Sequence, residues 1–185
     1  ETTNDLKQKA VQVLPGLYYK LAATAYNEKK PAAEIIAASK LAGAMAEKYG
    51  SKTHGNNSQK ILVNGYYMMA TEFFSANDYD NALLAFDSVL TLNPDHIASI
   101  YNKSLIYKNR DEADLFEQTI DLFLSKLDPG KDADKAEQAK GSALEYFRAA
   151  GSKANSANDL DEALALLNRA AKYGEDKILC YFFAD

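Results

Sequence analysis

Tyr66, Met69, Ala70, Phe73, Ala82, Phe86, Val89 and Pro94 stand at offsets 0, 3, 4, 7, 16, 20, 23 and 28 from the first of them. Phe147, Ala150, Gly151, Ala154, Ala163, Leu167, Ala170 and Glu175 stand at the same offsets, and every site but the last keeps its character. Steps of three and four residues are the helical period. The apolar sets are interrupted at Asn77-Asp78-Tyr79-Asp80 and Asn158-Asp159-Leu160-Asp161, where an Asx residue can cap a new helix and Tyr79 or Leu160 can plug the turn. Each set therefore spells two helices, A then B. Small residues in helix A (Ala70, Gly151) and in helix B (Ala82, Ala163) let the pair approach closely. Such a pair buries only part of its apolar surface, so a repeated pair implies a stack.

The same period runs through the rest of the chain. Thr3-Asn4 can cap a first helix that runs towards Asn27, broken or kinked near Pro15-Gly16, and further helices are predicted at 31–49, 58–75, 80–91, 95–109, 112–126, 134–156, 159–173 and 176–185. Pro31 fits a first helical turn and Gly50 a helix stop, and Ser51 to Asn57 reads as a polar loop. One local signal points elsewhere. Ile61-Leu62-Val63-Asn64-Gly65-Tyr66-Tyr67 carries Asn-Gly between β-favouring residues, a strong hairpin signature, whereas the register places Asn64-Gly65 inside helix A. The register spans more residues, and a helix is expected.

The pattern resembles the tetratricopeptide repeat, a helix–turn–helix unit of 34 residues. Residues 63–96 match it best and end in Leu92-Asn93-Pro94-Asp95, while 144–177 match well with Glu175 where proline is usual. Residues 97–130 are degenerate: Ile100, Ser104, Tyr107, Ile120 and Phe123 fit, Lys103 occupies an apolar site, and Phe116 replaces the small residue of helix B, which should push the pair apart. Tyr66 to Ile100 is 34 residues and Ile100 to Phe147 is 47, so an insert lies around Asp128–Lys140, read as a turn plus an N-terminal extension of helix A. A fourth, divergent unit at 17–50 is carried by Tyr18, Leu21, Ala22, Ala25, Ala32 and Ile36, with Tyr18 lying 48 residues before Tyr66. The expectation is one all-α domain over 1–185, an α-solenoid of antiparallel helix pairs in a right-handed superhelix, with a further helix starting at 178–185.

In this family the faces of helices A line a groove that holds an extended peptide or a partner helix. The resemblance accordingly implies a protein-binding scaffold or adaptor. Its candidate groove residues are Asn64, Tyr67, Thr71 and Phe74, then Tyr101, Asn102, Leu105 and Lys108, then Glu145, Arg148, Ser152 and Asn155. Tyr67, Phe74 and Tyr101 are candidate anchors, with packing on the neighbouring unit as the alternative. Asn102 matches a residue with which some members clamp a chaperone's terminal carboxylate, but Tyr67 and Glu145 stand where lysines belong, so that mode is rejected. The alternative function is self-association, or docking within a larger chain, through the apolar Ile178–Ala184 run, with Tyr181, Phe182 and Phe183 as the contact residues.

Other chemistries find little support. Lys+Arg is 21 against Asp+Glu 26, a net charge of −5 that disfavours nucleic acid. One cysteine and two histidines 42 residues apart speak against a disulfide scaffold and a metal site, and no cofactor is expected. Gly50-Ser51-Lys52-Thr53 lacks the spacing of a phosphate loop. Acidic groups at helix starts such as Asp159 and Asp161 offset helix dipoles. No nucleophile–base set is visible, so catalysis is not expected. No apolar run reaches the ~18 residues of a membrane span. The chain begins Glu1-Thr2-Thr3, which reads as a trimmed start and leaves both a cytoplasmic and a bacterial-envelope location open.

Overall fold

The computed structural model describes residues 2–174, which form eight α-helices and no strand. They are α1 (Thr3–Asn27), α2 (Ala32–Lys48), α3 (Lys52–Ser75), α4 (Tyr79–Leu92), α5 (Ile97–Asn109), α6 (Ala113–Lys126), α7 (Ala133–Ser156) and α8 (Leu160–Ala171). The chain divides within α5 into two compact units, one ending at Ser99 and one beginning at Ile100. In the first unit α1 packs on α2 and α3, α2 on α3, and α3 on α4; in the second α7 packs on α6 and α8. The expected helix at 176–185, with Cys180, Tyr181, Phe182 and Phe183, lies outside the described residues.

The turn from each helix A to its helix B is built the same way four times. Lys29, Asn77, Asp111 and Asn158 adopt left-handed backbone, with φ of 53°, 58°, 58° and 63°. The next residue donates its amide back five places, Lys30 to Ala25, Asp78 to Phe73, Glu112 to Tyr107 and Asp159 to Ala154, at 2.9–3.0 Å. These are Schellman closures, which satisfy carbonyls that the helix end leaves orphaned. Every acceptor sits at register offset 7, so the turn and the apolar pattern repeat together. Asp78 and Asp159 then cap α4 and α8 by accepting the amides of Asn81 and Glu162. Tyr79 plugs its turn, its ring 6.0 Å from Phe74, but Leu160 is left 62% exposed and plugs nothing.

Offsets 4, 16, 20 and 23 supply the core. Ala70, Ala82, Phe86 and Val89 are buried, as are Gly151, Ala163, Leu167 and Ala170, and Ser104, Phe116, Ile120 and Phe123 of the degenerate unit. Phe116 does not stand idle as a spacer: its ring packs on Tyr146 and Phe147 of α7 at 4.9 and 5.9 Å. In the 17–50 pair the register slips. Helix A keeps its 48-residue spacing to α3, but Lys30 is followed by Pro31 as the α2 cap, one residue later than Asp78 caps α4. The inward positions of α2 therefore become Ile35, Ser39 and Ala42, with Ala32 and Ile36 also buried.

Three expectations change. α1 runs unbroken through Pro15, which is buried. Leu21 is not a core residue but 56% exposed, while its neighbour Ala22 is fully buried. The polar stretch 51–57 is helical from Lys52, because its small residues lie flat on α2: a Cβ at Gly55 would stand 3.6 Å from that of Ala46, and Ser58 is buried. Asn64-Gly65 is helical as the register required. α2 also approaches closely at Gly65, since a Cβ there would meet Ile36 at 3.0 Å and Ile35 at 3.2 Å.

Candidate functional site

The candidate residues of unit 1 lie along one face of α3. Asn64, Tyr67, Thr71 and Phe74 recur at three- and four-residue steps, and all are half-buried. The Tyr67 ring rests 5.0 Å from His96 and 6.1 Å from Phe86, so its body is packed while part of it stays accessible. Phe74 lies against Tyr79, and Thr71 donates its hydroxyl to the Met68 carbonyl at 2.8 Å. Asn64 belongs to a cleft of about 620 Å³, lined by Asn56, Gln59, Lys60, Val63, Leu92, Asn93 and His96.

The 48-residue spacing extends this face onto α1. Tyr67 maps to Tyr19 and Phe74 to Tyr26, so two adjacent helices A carry aromatics at the same two register positions. Tyr19 repeats the arrangement of Tyr67, its ring 5.7 Å from His54 near the start of the following helix A. Applying the spacing found at Tyr18 and Tyr66 to their neighbours would have found both tyrosines in the sequence.

Both histidines also serve a helix start. His54 Nδ1 lies 2.7 Å from the Ser51 hydroxyl, beside the first turn of α3. His96 immediately precedes α5, and its Nδ1 accepts the Ser99 amide at 3.3 Å and lies 2.9 Å from the Ser99 hydroxyl. Burial holds the His96 imidazole below its ordinary pKa, opposed by a backbone hydrogen bond. The neutral ring that results can both accept at Nδ1 and lie against Tyr67.

Unit 2 holds the remaining candidates on α5 and α7. Tyr101 is half-buried with its ring 4.9 Å from Phe123. Lys108 donates to the Ser142 hydroxyl at 2.8 Å, joining α5 to α7. Asn102 and Arg148 are half-buried, and Asn155 is exposed. At the positions of Tyr67 and Phe74, then, α5 carries Tyr101 and Lys108, and α7 carries Arg148 and Asn155. Both helices A of unit 1 carry aromatics at the two positions, whereas α5 keeps one, Tyr101, and α7 carries none.

The strongest electrostatic feature of unit 2 lies away from those residues. Arg169 of α8 donates Nε to Glu117 at 2.7 Å and Nη2 to the Ala113 carbonyl at 2.9 Å, pairs Nη1 with Asp114 at 3.0 Å, and lies over the Phe147 ring at 4.4 Å. Lys172 bonds Glu117 and Asp121, and Tyr173 donates its hydroxyl to Asp121 at 2.9 Å. Burial, then the Asp121 hydrogen bond, push the Tyr173 phenol above its ordinary range. Every member has a partner on the neighbouring helices, which marks a brace between α6 and α8.

Each unit also has an open cleft at the same register. About 740 Å³ is bounded by α2, Lys52, Gly55, Asn56, Gln59 and Leu92, and about 690 Å³ by α6, Ala133, Ala136, Glu137, Lys140 and Tyr173. The second group of α7–α8 residues is the first shifted by 81, the Tyr66-to-Phe147 spacing. Both clefts arise because α3 and α7 begin two to three turns before the repeat needs them. Among the described residues, no three His, Cys, Asp or Glu side chains gather as a metal site, and no helix is long and apolar enough to cross a membrane.

No family model and no curated protein matches this sequence. Among solved structures, the chain is similar to a crystal structure of MamA, with 16% identity over 94% of this chain and 95% of that one, at a TM-score of 0.38. A second structure of MamA aligns at 14% identity over 91% and 94%, with a TM-score of 0.37. YrrB, described as a TPR protein with an unusual peptide-binding site, aligns at 14% identity over 89% of each chain, also at a TM-score of 0.37.

Proposed function

We propose that the helix-A face of unit 1 binds an extended peptide or partner helix, and that the chain acts as a non-catalytic protein-binding scaffold in which residues 1–185 serve as one array. The observation that supports this reading is the aromatic row Tyr19, Tyr26, Tyr67 and Phe74, each partly exposed, with Tyr19, Tyr67 and Phe74 held from behind by ring contacts. A half-buried aromatic loses little side-chain freedom on binding and offers a large contact area, which is why such residues dominate binding hot spots. The cleft residues Lys60, Asn64 and Asn93 offer polar groups for a peptide backbone beside that row.

The test begins with peptides selected from a random library on the full chain. Tyr19→Ala with Tyr67→Ala should weaken the selected peptides by more than about tenfold, the loss typical of two anchors. Leu84→Ala, at an exposed site on α4, should leave binding unchanged, and circular dichroism should show the same helicity in both variants. Undiminished binding by the double variant would rule this face out.

A further inference from the structure

The unit 2 cleft of about 690 Å³ has an apolar floor, built by Leu124 and Leu127 from α6 and its end and by Ala133, Ala136 and Leu144 from α7. The three leucines are half-buried, so each keeps apolar surface that the described residues leave uncovered. The charged groups around it, Asp128, Glu137 and Lys140, stand on exposed residues of the rim.

The chain leaves the described residues on that rim. Tyr173 lines the cleft, and Gly174 lies against it, since a Cβ there would stand 3.3 Å from Leu144 Cδ2. Next in sequence come Glu175-Asp176-Lys177, and then a run without a charge, Ile178-Leu179-Cys180-Tyr181-Phe182-Phe183-Ala184. Ile178 is four residues past Gly174. A chain spans at most ~3.3–3.6 Å per residue, so the run starts within about 14 Å of the rim. Connectivity thus sets an apolar run beside an apolar floor. The tether also holds its local concentration in the ~mM range, so a modest affinity keeps the cleft filled.

The register supplies a second reason. Offset 28 is the one site that loses its character between the two matched repeats, Pro94 in the first and Glu175 in the second. Proline withholds an amide and crowds the residue before it out of helical backbone. In unit 1 that residue is Asn93, extended at φ −143° and ψ 89°, and the chain turns at once towards α5 and leaves its cleft open. Glu175 imposes no such break on the end of α8, where Lys172 is still helical at φ −60° and ψ −28°. We infer that the unit 2 cleft is the docking site of the chain's own Ile178–Ala184 run, which covers Leu124, Leu127 and Leu144.

Cys180 lies within the run and is the chain's only cysteine, so its reaction with a thiol-specific disulfide reagent reports cover at that place alone. In the full 185-residue chain it should react at least about tenfold more slowly than in a synthetic peptide of residues 175–185, at every protein concentration. Ala136→Arg sets a long cationic side chain in the cleft and should speed the reaction at least about fivefold, with circular dichroism unchanged. Ala133→Arg makes the same intrusion from an exposed position and replaces the first variant if that one loses helicity. Asn56→Arg, which crowds the unit 1 cleft instead, should leave Cys180 protected. The inference is overturned if wild-type Cys180 reacts as fast as the peptide, or if it stays protected when the folded arginine variants block the unit 2 cleft. Equal release by Asn56→Arg also overturns it. So does protection that disappears on dilution, which would place the run on a second copy.

Discussion

Of the four left-handed residues in the A–B turns, Lys29 alone is not Asn or Asp. Left-handed backbone costs an ordinary L-residue about 1–2 kcal/mol, and a short Asx side chain relieves part of that by local hydrogen bonding. Its three counterparts, Asn77, Asp111 and Asn158, show what the turn prefers. Lys29→Asn should raise stability by about 0.5–1 kcal/mol in urea denaturation, with no change in the slope of the transition. His96 makes a second prediction of this scale. Its imidazole is held low by burial, so the folded state binds fewer protons than the unfolded chain. The associated stability is present above the ordinary imidazole pKa of ~6.5 and is lost as pH falls through the folded value. Protonation also removes the Nδ1 acceptor of the Ser99 amide. Moving from about pH 7.5 to about pH 5 should therefore destabilise the wild type more than His96→Asn, which keeps a cap and cannot titrate. An equal loss in both proteins would remove His96 from the account.

Pairs of helices, in this chain, are spaced by their smallest residues. A Cβ on Gly151 would lie 2.8 Å from Leu167 Cγ and 3.3 Å from the Ala163 carbonyl, and both neighbours are buried. Gly151→Ala gains helix propensity worth ~1 kcal/mol but must push α8 off α7, at a cost of about 1–3 kcal/mol. A net loss of up to about 2 kcal/mol is expected by thermal denaturation, whereas Gly43→Ala, with nothing within 4 Å, should be neutral or stabilising. The element scale is also where the sequence was most legible. Helix existence, the A–B turns and the inward positions of α3, α4, α7 and α8 all follow from a period that each residue supports locally. What escaped depended on distant partners. Residues 51–57 are polar enough for a loop, and only the Ala46 surface of α2 makes them helical. Leu21 fits the apolar period as well as Ala22 does, and only the placement of α2 and α3 decides which faces inward. Tyr19 and Tyr26 were within reach of the 48-residue spacing, because that spacing holds along helix A even though the turn to α2 gains a residue.

Over the whole molecule the two compact units close by different physics. In unit 1 the contact between α2 and α3 is made by Gly65 against Ile35 and Ile36, within a cluster that includes Ala22, Ala42 and Ile61. Burial of this kind does not weaken with added salt, and salting-out ions strengthen it. In unit 2 the α6–α8 brace sets Arg169 and Lys172 against Asp114, Glu117 and Asp121, with the Arg169 and Glu117 side chains only 23% and 21% exposed. At ~1 M salt the screening length falls to about 3 Å, so the exposed members, Asp114 and Lys172, are screened while the Arg169–Glu117 bond is partly protected. Raising sodium chloride from about 0.05 to 1 M should accordingly speed amide exchange in α8 relative to α2. Arg169→Met should produce much of that difference at low salt, at a cost of about 1–3 kcal/mol to unit 2, because it leaves the half-buried Glu117 carboxylate with only the more exposed Lys172 as its partner. The two perturbations act on the same contacts, so their effects on α8 should be less than additive. Exchange in α2 that rose with salt as steeply as in α8 would show that the brace does not distinguish the units.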